Sequence, residues 1–177
     1  MSKLAFIFPG QGAQKAGMGK DFYENSEAAR SFFDNAQEIL DFDLKEMCFG
    51  EHEELNLTEY TQPCMVSVCL AIVQELKKRG INPDITAGLS LGEYAAVAAA
   101  GGMNELDAIK LVRRRGILMQ NTVPTGEGAM AAVLGLDAKK IEEILESFEN
   151  VWIANYNCPG QIVITGLTNE VQQASLA

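Results

Sequence analysis

The pentapeptide Gly88-Leu89-Ser90-Leu91-Gly92 constrains the fold more than any other part of the chain. A G-x-S-x-G sequence raises its serine above a sheet when a strand precedes it and a helix follows it. Both neighbours are predicted here, because 85–87 favours a strand and 91–100 is rich in helix-forming residues. The pattern therefore predicts a strand–turn–helix unit with Ser90 on the turn. It also fits a glycine-rich turn whose serine has no chemical role.

Length, charge and apolar content narrow the classes of function. The chain has 177 residues, 47% of them hydrophobic, and so can bury one domain with a small or incomplete second one. A formal net charge of -10 leaves no basic surplus for phosphates, which argues against nucleic acid and anionic membranes as main partners. The apolar run at 4–8 is too short for a signal peptide or a membrane span. We expect a cytoplasmic protein.

The cysteines and the histidine offer neither a metal site nor an evident base. Cys48, Cys64, Cys69 and Cys158 lack C-x-x-C spacing and stand among apolar neighbours, which predicts reduced, packed thiols with structural roles. The sole histidine, His52, lies in an acidic run and is expected to be a solvated surface residue. We therefore expect no metal.

Periodicity and capping signals divide the chain at Pro124 into two patterns. Before it we predict a strand at 4–8, helices at 26–40, 61–80 and 104–123, and the elbow unit. The helix from Thr61 would take that residue as its cap and Pro63 in its first turn. After Pro124 a β-α-β-β-α order follows, which is most of a ferredoxin-like unit. Its predicted elements are strands 128–135, 151–154 and 161–164 and helices 137–148 and from 168.

Arg115 is the cation whose setting is hardest to explain. It follows Arg113 and Arg114 on one helix, so the three side chains point in different directions. The residues three and four positions from Arg115 are apolar, whereas the other two arginines each have Lys110 within that distance. We therefore place Arg115 on the buried stripe, where it needs an anionic partner. That partner is either an internal carboxylate, the more frequent case, or a substrate carboxylate.

Gln11 and Gln62 lie beside glycine or proline at the edges of predicted elements, where side chains and backbone N–H groups are held rigidly. Either residue could line a pocket. By themselves, such residues are more often ordinary loop or helix-start residues.

Five motifs, in order and spacing, resemble those of one enzyme family. They are Phe8-Pro9-Gly10-Gln11-Gly12-Ala13-Gln14, Thr61-Gln62-Pro63, Gly88-Leu89-Ser90-Leu91-Gly92-Glu93-Tyr94, Arg115-Gly116 and Asn157-Cys158-Pro159-Gly160-Gln161. The chain resembles the malonyl-CoA:acyl carrier protein transacylases of fatty acid synthesis from its first strand to about Gly166. The resemblance implies an α/β fold: an α/β-hydrolase-like core with a parallel sheet, incomplete here, plus most of a ferredoxin-like small domain. Residues 1–124 would be the N-terminal part of the acyltransferase core and 125–177 the partial small domain.

The resemblance also implies roles for single residues. Ser90 would take malonyl from coenzyme A as an ester, and the phosphopantetheine thiol of acyl carrier protein would collect it. Backbone N–H groups of Gln11 and Leu91 would form the oxyanion hole, and Arg115 would pair with the malonyl carboxylate. Gln62 would belong to the substrate-binding site. Malonyl-CoA enters as a substrate, so no cofactor is implied, and malonyl would be preferred over acetyl.

Two departures from the family pattern bear on activity. Leu89 stands where the elbow usually has a histidine, and the family's catalytic histidine lies after the small domain, where this chain has no residues. A serine without its base loses several orders of magnitude in rate, so we expect the chain alone to be nearly inactive. It would be a truncated or split transacylase, or a remnant that binds acyl-CoA or carrier protein without turnover.

The resemblance also bears on association and leaves alternative functions open. A missing half leaves apolar faces and strand edges exposed, which predicts a complementary C-terminal chain or a self-dimer. The alternative classes are a serine hydrolase or thioesterase with the same elbow and a non-catalytic binding module. Lys110, Arg113 and Arg114 are candidates for a basic face that meets the acidic carrier protein.

Overall fold

The computed structural model describes residues 3–124 and 126–177. The chain divides into two compact units, Met1–Gln120 and Asn121–Ala177. One contains a parallel sheet and the other an antiparallel sheet, which confirms the mixed α/β class. None of the described helices combines the length and the hydropathy needed to cross a bilayer.

In the first unit, within the described residues, two parallel strands are covered by helices on one face only. β1 (Ala5–Phe8) pairs with β2 (Ile85–Gly88) in the register Ala5 to Ile85 through Phe8 to Gly88. The helices are α1 (Lys20–Asn25), α2 (Glu27–Glu38), α3 (Leu44–Phe49), α4 (Thr58–Lys78), α5 (Leu91–Ala99) and α6 (Glu105–Thr122), with a short 3-10 helix at Glu53–Asn56. Helix α1 has no counterpart among the predicted elements. The core centres on the middle of α4, where Leu70 and Val66 are buried against α2 and α5.

Helix α4 begins one turn earlier than predicted. Thr61 is not its cap but a buried residue whose hydroxyl donates to the carbonyls of Leu55 and Leu57, at 2.6 and 3.0 Å. The helix starts at Thr58 because the backbone N–H of Thr58 donates to Gln120 Oε1 on α6 at 3.0 Å. A side chain from a distant helix thus replaces the local cap that the sequence suggested.

The second unit has the predicted β-α-β-β-α order. Its elements are β3 (Gly128–Leu134), α7 (Ala138–Leu145), β4 (Val151–Cys158), β5 (Gln161–Leu167) and α8 (Thr168–Ala174). The sheet is antiparallel in the order β3-β5-β4, and Ile141, Ile162, Ile164 and Val171 fill its core. Strands β4 and β5 are longer than predicted, because register shifts in β4 break the alternation by which its end is recognised.

Cysteine burial follows the prediction except at one position. Cys48 and Cys64 are buried, Cys69 is half-buried, and all four thiols are free. Burial raises the pKa of Cys69 to about 11, which suits an inert packed thiol. Cys158 is exposed at the end of β4, so the prediction that it packs is wrong. The turn at Pro159-Gly160 follows it at once, so Cys158 lies at the end of the strand and not in the core of the unit.

Candidate active site

Ser90 occupies a strained turn between β2 and α5. Its φ is 50° and its ψ is -100°, and among the residues described it is the only non-glycine with a positive φ. Such backbone geometry costs free energy and is retained at functional turns, including the nucleophile elbow. The predicted strand–turn–helix unit is confirmed, and the serine side chain is presented at the surface.

The two glycines of the elbow allow its backbone to pack on neighbouring backbone. A Cβ at Gly88 would lie 2.1 Å from the Gly92 carbonyl carbon, and one at Gly92 would lie 2.3 Å from the Phe8 carbonyl oxygen. The first turn of α5 therefore touches the end of β1 directly. The N–H of Leu89 completes this junction by donating to the Phe8 carbonyl at 3.2 Å.

This junction brings the loop after β1 next to the serine. Gly10 lies under the elbow, since a Cβ there would be 3.0 Å from the Leu89 carbonyl oxygen and 3.4 Å from Leu89 Cγ. The backbone N–H groups of Gln11 and Leu91 make no hydrogen bond within the part of the chain that the structure describes. Both are open to an incoming acceptor, as an oxyanion hole requires.

Two residues of helix α4 bind the side chain of Gln11. Its Nε2 donates to Thr58 Oγ1 at 3.1 Å, and its Oε1 accepts from Gln62 Nε2 at 3.4 Å. Gln62 is fully buried at 0% exposure, and its Oε1 has no hydrogen-bond partner. The structure thus brings the two predicted glutamines together, with Gln62 enclosed behind Gln11.

Arg115 reaches the serine from α6. Its Nη2 lies 3.4 Å from Ser90 Oγ, and its Cζ lies 5.5 Å from the centre of the Tyr94 ring. Within 3–124 and 126–177, no carboxylate is within ion-pair distance of Arg115. The internal carboxylate that the sequence allowed as its partner is therefore not found among these residues.

The predicted buried stripe of α6 is wrong at three of its four apolar positions. Leu111 is 43% exposed, Leu118 60% and Met119 47%. Only Val112 of that stripe is buried, together with Ala108, Ile109 and Gly116. At Gly116 a Cβ would lie 2.7 Å from the Thr58 carbonyl oxygen, so α6 and α4 meet backbone to backbone.

Arg113, expected on a basic surface face, is the arginine that is enclosed. Its side chain is only 13% exposed and donates to both Asp41 oxygens at 2.8 and 2.9 Å. It also donates to the carbonyl and a carboxylate oxygen of Glu59, at 2.9 and 3.0 Å, and lies over the rings of Phe42 and Tyr60. The prediction failed because these partners come from distant segments, which the spacing of neighbours on α6 cannot reveal.

No base contacts the nucleophile among the described residues, where Arg115 is the only side chain hydrogen-bonded to Ser90. His52 is half-buried, and its Nε2 lies 2.9 Å from Glu46 Oε1, so it is less solvated than predicted. In the same described ranges no cluster of His, Cys, Asp or Glu could hold a metal ion.

Residues 5–176 match the family described as acyl transferase domain. This chain belongs to the acyl transferase domain family. It is 48% identical over 180 residues to the malonyl CoA-acyl carrier protein transacylase of Bacillus subtilis (strain 168), covering 99% of this chain and 57% of that relative. The solved transacylase from Clostridium perfringens superposes with a TM-score of 0.89 at 44% identity, covering 98% of this chain and 56% of that one.

A second similar structure is a complex of a malonyl-transacylase with its type II polyketide synthase acyl carrier protein. It has a TM-score of 0.89 and 39% identity, over 98% of this chain and 58% of that one. The resemblance to malonyl-CoA:acyl carrier protein transacylases is thereby confirmed. The chain spans about half the length of the curated relatives it matches.

Sequence reasoning within this acyl transferase domain missed three neighbours of the site. Thr58 holds Gln11, Met119 contacts Gln62, and Tyr94 lies beside Arg115. The available signal was helical spacing, because Thr58 and Met119 each stand one turn from a predicted site residue, Gln62 and Arg115 respectively.

Proposed function

We propose that this chain carries the nucleophile and the acid-binding group of a malonyl-transfer site. Ser90 takes a malonyl group from malonyl-CoA as an ester, and the phosphopantetheine thiol of acyl carrier protein then removes it. The observation that carries this proposal is Arg115, whose guanidinium lies 3.4 Å from Ser90 Oγ with no carboxylate partner in the described ranges. An unpaired cation beside a nucleophile suits an acyl group that ends in a carboxylate.

The transfer consists of two acyl exchanges at one carbon. Ser90 Oγ attacks the thioester carbonyl carbon while a base takes the hydroxyl proton. The N–H groups of Gln11 and Leu91 donate to the carbonyl oxygen as it becomes negative. The C–S bond breaks, and the coenzyme A sulfur leaves and takes up a proton. The carrier thiol then loses its proton, attacks the ester carbon and returns Ser90 to its free hydroxyl.

Arg115 supplies the selectivity. A guanidinium forms two parallel hydrogen bonds with a carboxylate, and the Tyr94 ring 5.5 Å from Cζ restrains its plane. Malonyl therefore gains a charge-assisted contact that an acetyl group cannot make. Acetyl-CoA would leave the cation without that partner, which lowers its transfer rate.

The transfer needs a base, and no base contacts Ser90 among the residues that the structure describes. The single histidine, His52, is bonded to Glu46, and a serine without its base reacts slowly. We therefore expect little turnover by the isolated chain. The parallel β1-β2 pair that ends at the elbow supports an α/β-hydrolase-like core to which further strands add.

Exposed apolar side chains support association with a complementary polypeptide or a second copy. Ile7 on β1 is 78% exposed and Ile85 on β2 is 56% exposed, on the only two strands of the parallel sheet within the described residues. Exposed strands with apolar side chains favour pairing with another chain. Sedimentation at rising protein concentration tests this, and a monomer at every concentration contradicts it.

Partners and location follow from the same chemistry. The Bacillus subtilis relative is named for malonyl CoA and acyl carrier protein, which supports both as partners of this chain. The four free thiols support a reducing compartment, the cytoplasm. No cofactor is needed, because coenzyme A arrives and leaves as part of the substrate and product.

The intact mass of the protein before and after brief exposure to malonyl-CoA tests the proposal. Imidazole in the buffer supplies the missing base, and Ser90→Ala is the control. We expect one malonyl group on the parent protein, faster with imidazole, and none on the variant. An adduct that hydrolyses without carrier protein indicates a thioesterase. Binding of malonyl-CoA that Ser90→Ala leaves unchanged, with no adduct at all, indicates a non-catalytic module.

A further inference from the structure

Two residues on the first turns of α4 each contact both sides of the candidate site. Thr58 Oγ1 accepts from Gln11 Nε2 at 3.1 Å, and the Thr58 N–H donates to Gln120 Oε1 at 3.0 Å. Gln62 Nε2 lies 3.4 Å from Gln11 Oε1 and 3.3 Å from Met119 Sδ. We call Thr58 and Gln62 the α4 bridge. It joins the Gln11 loop to helix α6.

The side of the bridge on α6 lies close to Arg115. Met119 is one helical turn after Arg115 and therefore on the same face of α6. Gly116, the next residue after Arg115, sits against the backbone of Thr58, where a Cβ would be 2.7 Å from the carbonyl oxygen. No side chain separates the two helices there, so the position of α6 depends on α4 itself.

The burial of Gln62 separates it from the substrate. Gln62 is 0% exposed, and its Oε1 has no partner although a buried carbonyl oxygen without a hydrogen bond is costly. Its Nε2 contacts Gln11 Oε1 and Met119 Sδ, which belong to the two elements that flank the candidate site. A side chain enclosed in this way acts through its neighbours.

We propose that Thr58 and Gln62 are positioning residues that set the separation between the Gln11 N–H and the Arg115 guanidinium. This inference rests on the proposed function, in which Gln11 N–H binds the thioester oxygen and Arg115 binds the far carboxylate. The α4 bridge then determines how long an acyl group must be to contact the Gln11 N–H and the Arg115 guanidinium at the same time. Gln62 affects the preference for malonyl over acetyl without touching either group.

The test uses the whole 177-residue chain and matched substitutions on α4. Gln62→Met keeps the length of the side chain and removes the amide, and Thr58→Val removes the hydroxyl while keeping the N–H that binds Gln120. Ser67→Ala is the control, because Ser67 is buried on the same helix and its Oγ has no hydrogen-bond partner. Two quantities are measured for each protein. They are the NMR signals of the Gln11 N–H and the Arg115 Nε–H without ligand, and the ratio of the Kd values for acetyl-CoA and malonyl-CoA.

We expect Gln62→Met to shift both NMR signals and to lower the Kd ratio roughly tenfold, the effect of about one hydrogen bond. Ser67→Ala should leave both quantities unchanged. Equal loss of affinity for the two thioesters, or signals that match the control, would overturn the proposal. If Gln62→Met does not fold, Thr58→Val decides by the same criteria.

The two measurements also separate this inference from the proposed function. A parent protein that binds malonyl-CoA no better than acetyl-CoA contradicts the proposed function, whatever the NMR signals do. A parent protein that prefers malonyl-CoA, with the preference intact in both bridge variants, contradicts the bridge alone.

Discussion

Arg113 and Asp41 form a bidentate ion pair, in which Nε and Nη2 of Arg113 donate to the two Asp41 carboxylate oxygens at 2.8 and 2.9 Å. A second link extends this contact to α4. Pro63 has no N–H to offer the Glu59 carbonyl one turn before it, and Arg113 Nη1 donates to that carbonyl at 2.9 Å. The Arg113 guanidinium therefore links α6 to the segment after α2. It also binds the α4 carbonyl that Pro63 leaves without a helical donor.

Replacing Arg113 should destabilise the fold. We expect Arg113→Met to lower the free energy of unfolding by about 2 kcal/mol, because it leaves the Glu59 carbonyl and the partly buried Glu59 carboxylate without their donor and removes two hydrogen bonds to Asp41. Arg113→Lys should recover only part of the loss, since an ammonium cannot bind both Asp41 oxygens side by side. Urea denaturation measures both. Arg114→Met, at an exposed position on the same helix, should change stability by less than about 0.5 kcal/mol.

The same pair makes stability depend on pH. The hydrogen bonds from Arg113 hold the pKa of Asp41 below its ordinary value of 3.8. The stabilisation is therefore complete above the unfolded-state value and is lost as the pH falls through the lower folded-state value. We expect Asp41→Asn to remove this part of the acid sensitivity. The unfolding midpoint, measured from about pH 6 down to about pH 3, shows the effect.

Solvent limits the size of that pH effect. The Asp41 side chain is 66% exposed, so the difference should stay below about 1 kcal/mol. Glu51→Gln, at an exposed acidic position, is the control. An Asp41→Asn protein whose acid unfolding curve coincides with that of the parent protein would contradict the expectation.

The elbow should not tolerate a methyl group at Gly92. A Cβ there would lie 2.3 Å from the Phe8 carbonyl oxygen, which belongs to the backbone and cannot move away. We expect Gly92→Ala to cost more than about 3 kcal/mol or to prevent folding. Gly80→Ala is the matched control, because Gly80 has a φ of 74° and open space around its Cα. It should cost only about 1 kcal/mol by thermal unfolding.

Arg115 should control selectivity rather than stability. Its guanidinium has no ion-pair partner within the described residues, so Arg115→Met should leave the unfolding midpoint nearly unchanged. The variant should lose at least about tenfold of any preference for malonyl-CoA over acetyl-CoA in calorimetric titrations. Arg114→Met should keep the preference. A malonyl preference that survives Arg115→Met would show that another group binds the carboxylate.

The cysteines should react in an order set by exposure. Burial raises the pKa of Cys69 to about 11, so little of its thiolate exists near neutral pH, whereas Cys158 is exposed. We expect iodoacetamide to modify Cys158 first and Cys69 only after unfolding or at high pH. Peptide mapping by mass spectrometry follows each site. Cys158→Ser should remove the fast phase, and a fast phase that persists would contradict the assigned order.

Local signals predicted the local parts of this molecule. The turn at Ser90 and the helix starts predicted at 104 and 137 depend on residues within a few positions. The structure shows all three, with Asn104 and Asp137 as the capping residues of the two helices. The order of the second unit was also predictable, because each of its strands and helices has its own periodicity. The elbow glycines carried further information, since their small size is what lets β1 and α5 touch.

The missed features depend on partners far along the chain. The start of α4 is set by Gln120, a residue 62 positions away, and the enclosure of Arg113 is set by Asp41, 72 positions away. Helical spacing identified the neighbours of Arg115 correctly, but it predicted the burial of only one of the four, Val112. Burial depends on which face another element covers, and α6 is covered on its small-residue face at Gly116.

The contacts that shape the elbow have a consequence for the order of events during synthesis. Every one of them, from Phe8 through Gly10 and Gly88 to Gly92, lies N-terminal to α6 and therefore emerges from the ribosome before α6 does. The elbow at Ser90 can therefore form while Arg115 is still inside the ribosome. The turn would exist before the guanidinium that lies beside it in the folded chain, and translation would bring the two together in sequence.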